Sequence, residues 1–112
     1  DNVIEGGAGN DVMDAGLGND TVAYTFATSG VTVNLAATTA QNTVGAGTDT
    51  ITNFENLVGS TFNDTLTGNS SANVVRGGDG NDTIAGGGGN DWLFGEAGDL
   101  DVIEGGAGAD TM

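Results

Sequence analysis

The chain repeats itself every nine residues over its C-terminal half, and this period limits what it can fold into. Successive units begin at residues 59, 68, 77, 86, 95 and 105, and the same register returns at residues 6 and 15. Each unit has small residues near its start, Asp or Asn at the sixth place and an apolar residue at the eighth. A nine-residue spacing fits neither the 3.6-residue helical period nor a heptad, and interior glycines disfavour a helix further. The repeat therefore predicts a six-residue turn followed by a three-residue strand.

Alternation of side chains along each strand predicts the core. Only the middle side chain of a three-residue strand points inward, so the eighth-place residues should form one thin apolar row. Two nonamers then make one coil, with a strand on each side and a turn at each edge. We predict an all-β solenoid with two short parallel sheets. The predicted inward residues are Ile4, Met13, Val22, Leu66, Val75, Ile84, Leu93, Ile103 and Met112.

The middle of the chain interrupts the repeat and gives three blocks. Residues 1–23 and 59–112 hold regular units, whereas residues 24–58 break the period. Alternation from Val31 to Leu35 indicates a half-buried strand. Residues 44–52 recover the pattern once, and residues 53–58 form a shortened turn that contributes Leu57. We expect one structural domain, with 24–58 as an irregular β insertion in the same solenoid. Because residue 1 falls in mid-unit, we expect a piece of a longer chain.

The charge and composition exclude several classes of function. Sixteen acidic residues against a single Arg give a net charge of −15, which argues against nucleic acid as a partner and makes the metal-free chain repel itself. The chain has no Cys and no His, and no apolar run approaches the ~20 residues of a membrane span. Without His or Lys we expect no enzyme activity in this chain, although a parent protein could carry a catalytic domain elsewhere.

The residues of the six-residue turn suit a hard cation. Glycines at places one, two and four allow positive φ and let carbonyl groups crowd inward, which is costly unless a cation lies among them. Sixth-place residues should superpose along each edge, where stacked carboxylates repel one another. A cage of six or more oxygens in a compliant loop suits Ca²⁺ better than Mg²⁺. The superposed residues are Asp64, Asp82 and Asp101 on one edge, and Asn73, Asp91 and Asp110 on the other.

On these units the chain resembles the repeats-in-toxin (RTX) family, which carries haemolysin-type calcium-binding repeats. GGDGNDTIA (77–85) and GGAGNDVMD (6–14) carry the resemblance, and residues 47–68 are similar to segments of long RTX proteins. The resemblance implies a right-handed parallel β-roll with each Ca²⁺ between turns one coil apart. One turn would give the carbonyls of places two and four and its sixth-place Asp. The turn one coil later would give the carbonyls of places one and three and its own Asp.

Carried onto this sequence residue by residue, the resemblance implies four metal sites in the C-terminal block. On one edge the ligand sets are Ser60, Phe62, Asp64, Gly77, Asp79 and Asp82, followed by Gly78, Gly80, Asp82, Gly95, Ala97 and Asp101. On the opposite edge they are Asn69, Ser71, Asn73, Gly86, Gly88 and Asp91, followed by Gly87, Gly89, Asp91, Gly105, Ala107 and Asp110.

Three further candidate sites are less regular, and we expect about four to six Ca²⁺ ions in all. The candidate sets are Gly45, Gly47 and Asp49 with Gly59, Thr61 and Asp64; Asn2 with Ala15, Leu17 and Asp20; and Gly7, Gly9 and Asp11 with an unidentified partner in the irregular middle. Asn73 and Asn2 offer a neutral oxygen, so their sites should be weaker. Leu100 lengthens its turn by one residue and leaves Asp99 and Asp101 as competing ligands.

The remaining candidate for a functional site is an outward aromatic surface. Trp92 and Phe94 flank inward Leu93, so both should point outward beside Val74 and Arg76 of the preceding coil. Together they would form a small apolar patch with a cation near an aromatic face. Two interpretations are open: local packing of the strands, or contact with an adjoining domain or a ligand such as a sugar.

The resemblance also implies a function. The chain would be a calcium-dependent folding and spacing module of a larger secreted bacterial protein. It would be exported unfolded through a type 1 secretion apparatus and would fold outside the cell. Its partners would be Ca²⁺, that apparatus and the adjoining domains of the parent. The alternative is an adhesive or carbohydrate-binding module of the same parent that uses the Trp92 and Phe94 surface.

Overall fold

In a computed structural model of the chain, the structure describes residues 1–98 and 100–112. These residues form twelve short strands and no helix, which confirms the all-β prediction. No helix among them is long and apolar enough to cross a membrane. The strands are β1 (Val3–Glu5), β2 (Val12–Asp14), β3 (Thr21–Ala23), β4 (Thr32–Asn34), β5 (Gln41–Asn42), β6 (Thr48–Thr52), β7 (Asn56–Val58), β8 (Thr65–Thr67), β9 (Val74–Asp79), β10 (Thr83–Gly88), β11 (Trp92–Ala97) and β12 (Val102–Ala107).

The strands stack in parallel on two faces, as in a β-roll. One face, the first sheet, has the order β1-β3-β7-β9-β11, and every ladder in it is parallel. The opposite face, the second face, holds parallel β2-β6 and parallel β4-β8-β10-β12. Leu93 pairs with Val75 on the first sheet, and Ile84 pairs with Leu66 on the second face. Eighth-place residues one coil apart are therefore neighbours, which confirms the predicted coil of two nonamers.

The eighth-place residues form most of the core. Six of the nine predicted are at most 6% exposed, and these are Met13, Val22, Leu66, Val75, Ile84 and Leu93. Ile4 and Ile103 are partly buried against the same cluster. Met112 is 69% exposed, contrary to the prediction. In the regular units the core is thus one inward side chain per strand, held between the two faces.

The insertion, residues 24–58, adds strands to the second face. β4 pairs with β8 and β6 pairs with β2, both in parallel. β5 is antiparallel to β6, and Val31 forms an antiparallel bridge to Val44. Among the described strands, β6, β5 and β4 therefore lie between β2 and β8 on the second face, whereas β3 alone lies between β1 and β7 on the first sheet.

The insertion also contributes to the core. The predicted alternation is confirmed, because Val31, Val33 and Leu35 are buried while Thr32 and Asn34 between them are exposed. Ile51 and Leu57 are buried as predicted. Two aromatic side chains that the repeat pattern did not predict, those of Tyr24 and Phe54, are buried as well.

Candidate metal centre

The turns gather at two edges of the β-roll and stack on one another. The first edge holds the turns that lead into the second face, at residues 6–11, 43–47, 29–31, 59–64 and 77–82, and the described residues 95–98 and 100–101 of the next turn. The second edge holds the turns that lead into the first sheet, at residues 15–20, 53–55, 68–73 and 86–91, and then residues 105–110. The predicted ligand sets fall on these two edges.

Sixth-place residues one coil apart are joined by a repeated hydrogen bond. The backbone N–H of Asp64 donates to Oδ1 of Asp82 at 2.8 Å, and that of Asn73 donates to Oδ1 of Asp91 at 2.8 Å. The two residues of each pair are 18 positions apart. The same bond runs from Asp82 to Asp101 at 2.8 Å and from Asp91 to Asp110 at 3.0 Å. The predicted superposition of these residues is therefore confirmed.

The second carboxylate oxygen of several of these residues is buried without a partner. Oδ2 of Asp82 and Oδ2 of Asp91 accept no hydrogen bond from the described part of the chain, and the same holds for Asp11 and Asp20. An ionised oxygen buried in this way is costly unless a positive group faces it. Desolvation raises the pKa of the Asp82 carboxyl, and although the N–H of Asp64 opposes the rise, neighbouring carboxylates add to it. A cation at these oxygens would remove the cost.

First-place glycines leave room where the predicted ligands converge. A Cβ added to Gly59 would overlap Oδ2 of Asp64 and would lie 2.5 Å from the carbonyl oxygen of Gly77. These two oxygens come from turns one coil apart and belong to the same predicted ligand set. The same convergence of a sixth-place side-chain oxygen with the next turn's first carbonyl recurs at Gly68, Gly77 and Gly86. All four predicted C-terminal sites therefore have two of their ligands close together.

Carbonyls of the second and fourth places face the next turn. The carbonyl oxygen of Phe62 lies 2.7 Å from the position of a Cβ on Gly80, and that of Ser60 lies closer still to the corresponding position on Gly78. Gly78 and Gly80 both have positive φ, of 104° and 115°. Glycine adopts this conformation readily and lets the carbonyls approach. The carbonyls of Asn69, Ser71, Gly87 and Gly89 face the next turn in the same way.

Third-place carbonyls make backbone contacts in addition. The N–H of Gly80 donates to the carbonyl of Ala97 at 2.8 Å, and that of Gly89 donates to the carbonyl of Ala107 at 2.9 Å. Each carbonyl oxygen has a second lone pair, so this bond leaves it able to bind a cation. Among residues 1–98 and 100–112, no three acidic side chains form a cluster that could hold a metal by themselves. The predicted sets rely instead on two side chains and several carbonyls each.

One predicted pairing, that of the Asp49 turn with the Asp64 turn, is wrong. The turn at residues 29–31 lies between the two turns. The N–H of Val31, not that of Asp49, donates to Oδ1 of Asp64, at 2.8 Å. The cause is β4, which enters the second face between β6 and β8. The set that is not brought together consists of Gly45, Gly47 and Asp49 with Gly59, Thr61 and Asp64.

Asp49 is instead the missing partner of Asp11. The N–H of Asp11 donates to Oδ1 of Asp49 at 3.0 Å, although the residues are 38 positions apart. The N–H of Gly9 donates to the carbonyl of Ala46 at 2.9 Å, which is the bond made between regular turns by fourth-place and third-place residues. Residues 44–49 therefore stack on residues 6–11 as a regular turn. Val44 and Ala46 then hold the first and third places beside Gly7, Gly9 and Asp11.

Glu55 holds a sixth-place position in the stack of turns, which the sequence analysis missed. The N–H of Asp20 donates to Oε2 of Glu55 at 2.9 Å, as a sixth-place residue does to the acid of the next coil. The signal was present, because Glu55 stands two residues before inward Leu57, the offset between the sixth and eighth places. On the other side of this turn, Oδ1 of Asp20 accepts from the N–H of Asn2, as the terminal candidate site requires. The side chain of Leu17 is exposed there.

At the insertion, two side chains donate hydrogen bonds to residues of the stacked turns. The buried Tyr24 hydroxyl donates to Oδ2 of Asp49 at 3.1 Å. Desolvation and the charge of Asp49 raise the pKa of Tyr24, so this hydroxyl keeps its proton. On the second edge, Nδ2 of Asn73 donates to the carbonyl of Glu55 at 2.6 Å.

Fifth-place asparagines link neighbouring turns in a way that needs no metal. Oδ1 of Asn63 accepts from the N–H of Asn81 at 2.9 Å, and Oδ1 of Asn90 accepts from the N–H of Ala109 at 3.0 Å. Oδ1 of Asn10 accepts in the same way from the N–H of Thr48 at 2.9 Å. These bonds lie on the exposed side of each edge.

Of the two residues proposed to compete in the lengthened turn, Asp101 occupies the sixth place. It accepts the hydrogen bond from Asp82, and a Cβ on Gly95 would overlap its Oδ2. Asp99 lies outside the described residues.

The outward aromatic surface forms as predicted. Trp92 is 57% exposed, and its ring meets that of Phe94 edge-on at 6.5 Å. The Arg76 guanidinium lies 4.5 Å from the centre of the Phe94 ring and forms a 2.7 Å ion pair with Glu96. Trp92 also lines a groove with Asn19, Asn56, Ala72, Asn73, Val74 and Asn90.

A comparison with known protein families identifies one family that the chain matches. A family model described as the RTX calcium-binding nonapeptide repeat (4 copies) matches residues 1–22, 53–84, 67–99 and 76–112. These matches cover well over half of the chain and leave residues 23–52 outside them. No curated protein matches the chain. The stacked turns, the parallel strands and these four matches agree, and the chain belongs to the family of RTX calcium-binding nonapeptide repeats.

Proposed function

We propose that the chain is a module of a larger extracellular protein, that it folds when Ca²⁺ binds between its stacked turns, and that it then acts as a folding and spacing element. The buried and unpartnered Oδ2 atoms of Asp82 and Asp91 are the observation that carries this proposal. Each of these acids belongs to two ligand sets, one on either side of its turn. A cation beside each Oδ2 would supply the missing partner.

The balance of forces supports coupling between metal binding and folding. The core is one side chain wide per strand, and the chain carries a net charge of −15. Repulsion among so many acids opposes the compact state. A site whose ligands come from turns one coil apart exists only in the folded chain, so the free energy of binding becomes free energy of folding.

We propose six ligand sets. The four C-terminal sets are those between Asp64 and Asp82, Asp82 and Asp101, Asn73 and Asp91, and Asp91 and Asp110. To these we add one set between Asp11 and Asp49 and one between Asn2 and Asp20. The sets with Asn2 and Asn73 should bind more weakly, because an amide oxygen carries no charge.

Circular dichroism in excess chelator, followed by titration with Ca²⁺, tests the proposal. We expect a coil spectrum in chelator that becomes β-rich as Ca²⁺ is added. Mg²⁺ at the same concentration is the control, and it should be much less effective because it requires tight octahedral geometry and retains its waters. A native β spectrum in chelator would contradict the proposal.

The affinity should match an extracellular location. Extracellular calcium modules bind with Kd on the order of 10⁻⁴ to 10⁻³ M, so the chain would stay unfolded at cytosolic calcium levels. An unfolded chain can pass through a type 1 secretion channel and fold outside. Isothermal calorimetry measures the affinity directly. A sub-micromolar Kd would contradict export in the unfolded state, because the module would then fold inside the cell.

A second candidate function is adhesion or carbohydrate binding through Trp92. Its exposed indole stands beside the amides of Asn19, Asn56 and Asn90 in one groove, and a ring face with nearby amides suits a sugar. Trp92→Ala should then abolish retention on a carbohydrate matrix while the calcium-induced CD transition stays unchanged. Equal retention of both proteins, or of neither, would exclude this role for Trp92.

A further inference from the structure

We propose that the layer between the insertion and the C-terminal block is a hydrogen-bonded joint without cations. It would divide the calcium sites into two sets that fill independently. The joint is the place where the turns at 29–31 and 53–55 stack on the turns at 59–64 and 68–73. This inference rests on the proposed calcium function. It specifies the level of the solenoid at which the series of bound ions is interrupted.

On the first edge, the Tyr24 hydroxyl occupies the side of Asp49 on which the next cation of the series would bind. Oδ1 of Asp49 accepts from Asp11, as in the regular turns, but Oδ2 accepts from the Tyr24 hydroxyl at 3.1 Å. Oδ2 of Asp11, by contrast, is buried without a partner in the described part of the chain. Asp49 can therefore complete a site toward Asp11, while its other side is already satisfied by a protein donor.

The next turn along this edge brings no acid to Asp64. The partner from the turn at 29–31 is the N–H of Val31, 2.8 Å from Oδ1 of Asp64. Ser60 adds two more bonds, from its N–H to Oδ2 at 2.6 Å and from its hydroxyl to Oδ1 at 2.8 Å. Both oxygens of Asp64 thus have protein donors, and the donor from across the joint is the backbone N–H of Val31.

On the second edge, the amide of Asn73 faces the joint with its nitrogen and the C-terminal set with its oxygen. Its Nδ2 donates to the carbonyl of Glu55 at 2.6 Å, while its Oδ1 accepts from the N–H of Asn69 at 2.8 Å and converges with the carbonyl of Gly86. The oxygen thus serves the C-terminal set, and the nitrogen serves the joint. A carboxylate at position 73 would place an oxygen against the Glu55 carbonyl, where only a cation could relieve the repulsion.

Independence of the two sets follows from how neighbouring sites communicate. In a solenoid each turn contacts only its neighbours, and a carboxylate shared by two sites is the most direct link between them. Asp82 and Asp91 are shared in this way within the C-terminal set. Across the joint, the described contacts are made by backbone groups and by the amides of Asn69 and Asn73, so filling one set does not prepare a ligand for the other.

Two tryptophan probes can separate the sets. Trp92 reports the C-terminal set. Val12, which is 82% exposed on β2, can be replaced by Trp in a Trp92→Phe background to report the N-terminal set. Asp11→Asn should raise the calcium midpoint of the Val12→Trp probe about tenfold, the cost of one contact to a charged group, and that of the Trp92 probe less than about twofold. Asp82→Asn should raise the calcium midpoint of the Trp92 probe about tenfold and that of the Val12→Trp probe less than about twofold.

The outcomes distinguish the joint from the calcium function itself. Equal shifts of both probes for either substitution mean one cooperative series and overturn the joint, while calcium-induced folding stands. A lack of any calcium response in the two unsubstituted probes overturns the proposed function.

Asn73→Asp tests the boundary residue directly. The substitution should add about one bound Ca²⁺ per chain, measured by equilibrium dialysis, because the new carboxylate and the Glu55 carbonyl would then need a cation between them. It should also bring the two midpoints together. Asn63→Asp is the matched control, because it adds the same charge at an exposed fifth place and should leave both the ion count and the separation unchanged. Unchanged ion count and midpoints in Asn73→Asp would overturn the assignment of Asn73 as the boundary.

Discussion

Oδ1 of Asp101 accepts a hydrogen bond of 2.8 Å from the backbone N–H of Asp82, whereas Oδ2 of Asp82 is buried and accepts none from the described residues. The same acid position therefore performs two tasks. One oxygen sets the register of one turn on the next through the backbone. The other, on the proposed function, binds a cation. Register and metal binding would then depend on one side chain, so a substitution at this place should affect both.

The first prediction ranks the acids. Asp82→Ala or Asp91→Ala should raise the calcium midpoint of folding more than Asp110→Ala, because the first two acids are each shared by two sites and Asp110 serves one. The midpoint is measured by circular dichroism during calcium titration. Equal midpoints for the three variants would show that the proposed sharing is wrong.

The second prediction concerns pH in calcium-free buffer. Burial raises the pKa of the Asp82 carboxyl, so the folded state binds a proton more readily than the unfolded state, whose value is about 3.9. The metal-free fold should therefore gain stability as the pH falls through the raised pKa and lose it as the pH rises again. We expect β signal to increase on acidification from neutral pH. Asp82→Asn should show a smaller increase, and a decrease in the unsubstituted chain would contradict the argument.

The third prediction compares two glycines of ordinary φ. A Cβ at position 77 would overlap Oδ2 of Asp82 and lie 2.9 Å from the carbonyl of Gly95, whereas a Cβ at position 88 would have its nearest neighbour at 3.6 Å. Gly77→Ala should destabilise the calcium-loaded chain by about 1–3 kcal/mol, as overpacking does. Gly88→Ala should be neutral or slightly stabilising, because it restricts the unfolded chain. Thermal unfolding at saturating Ca²⁺ measures both, and similar losses would exclude the crowding explanation.

The fourth prediction concerns the metal-independent link between turns. Asn63→Ala removes the acceptor of the Asn81 N–H and should cost about 0.5–1.5 kcal/mol. The number of bound Ca²⁺ ions should not change, because Asn63 belongs to none of the proposed ligand sets. Urea unfolding at saturating Ca²⁺ gives the stability and equilibrium dialysis the ion count. Loss of an ion would mean that this asparagine is itself a ligand.

The regular parts of the fold could be predicted because each unit repeats the same local rule. The place of Leu66 under Ile84, and of Asp64 under Asp82, follows from counting nine residues twice. No comparable rule covers the insertion. Whether the turn of Asp49 meets that of Asp11 or that of Asp64 depends on where β4 enters the second face, and that depends on packing between strands distant in sequence.

The donors at the insertion could not be predicted for a similar reason. Tyr24 carries no repeat signal, and its hydroxyl reaches Asp49 across 25 positions. Glu55 was predictable in principle, since its offset from Leu57 is that of a sixth-place acid. It was missed because the shortened turn obscured the register and the residue there is not Asp.

The additional strands on the second face affect the course of the solenoid as a whole. Strands in a sheet are spaced about 4.8 Å apart, so the face that carries β6, β5 and β4 is longer than the face that carries β3 over the same stretch. We expect the axis to curve toward the shorter face at this level. The insertion would then bend the solenoid, and the number of strands it adds to the second face would set the angle between the segments on either side of it.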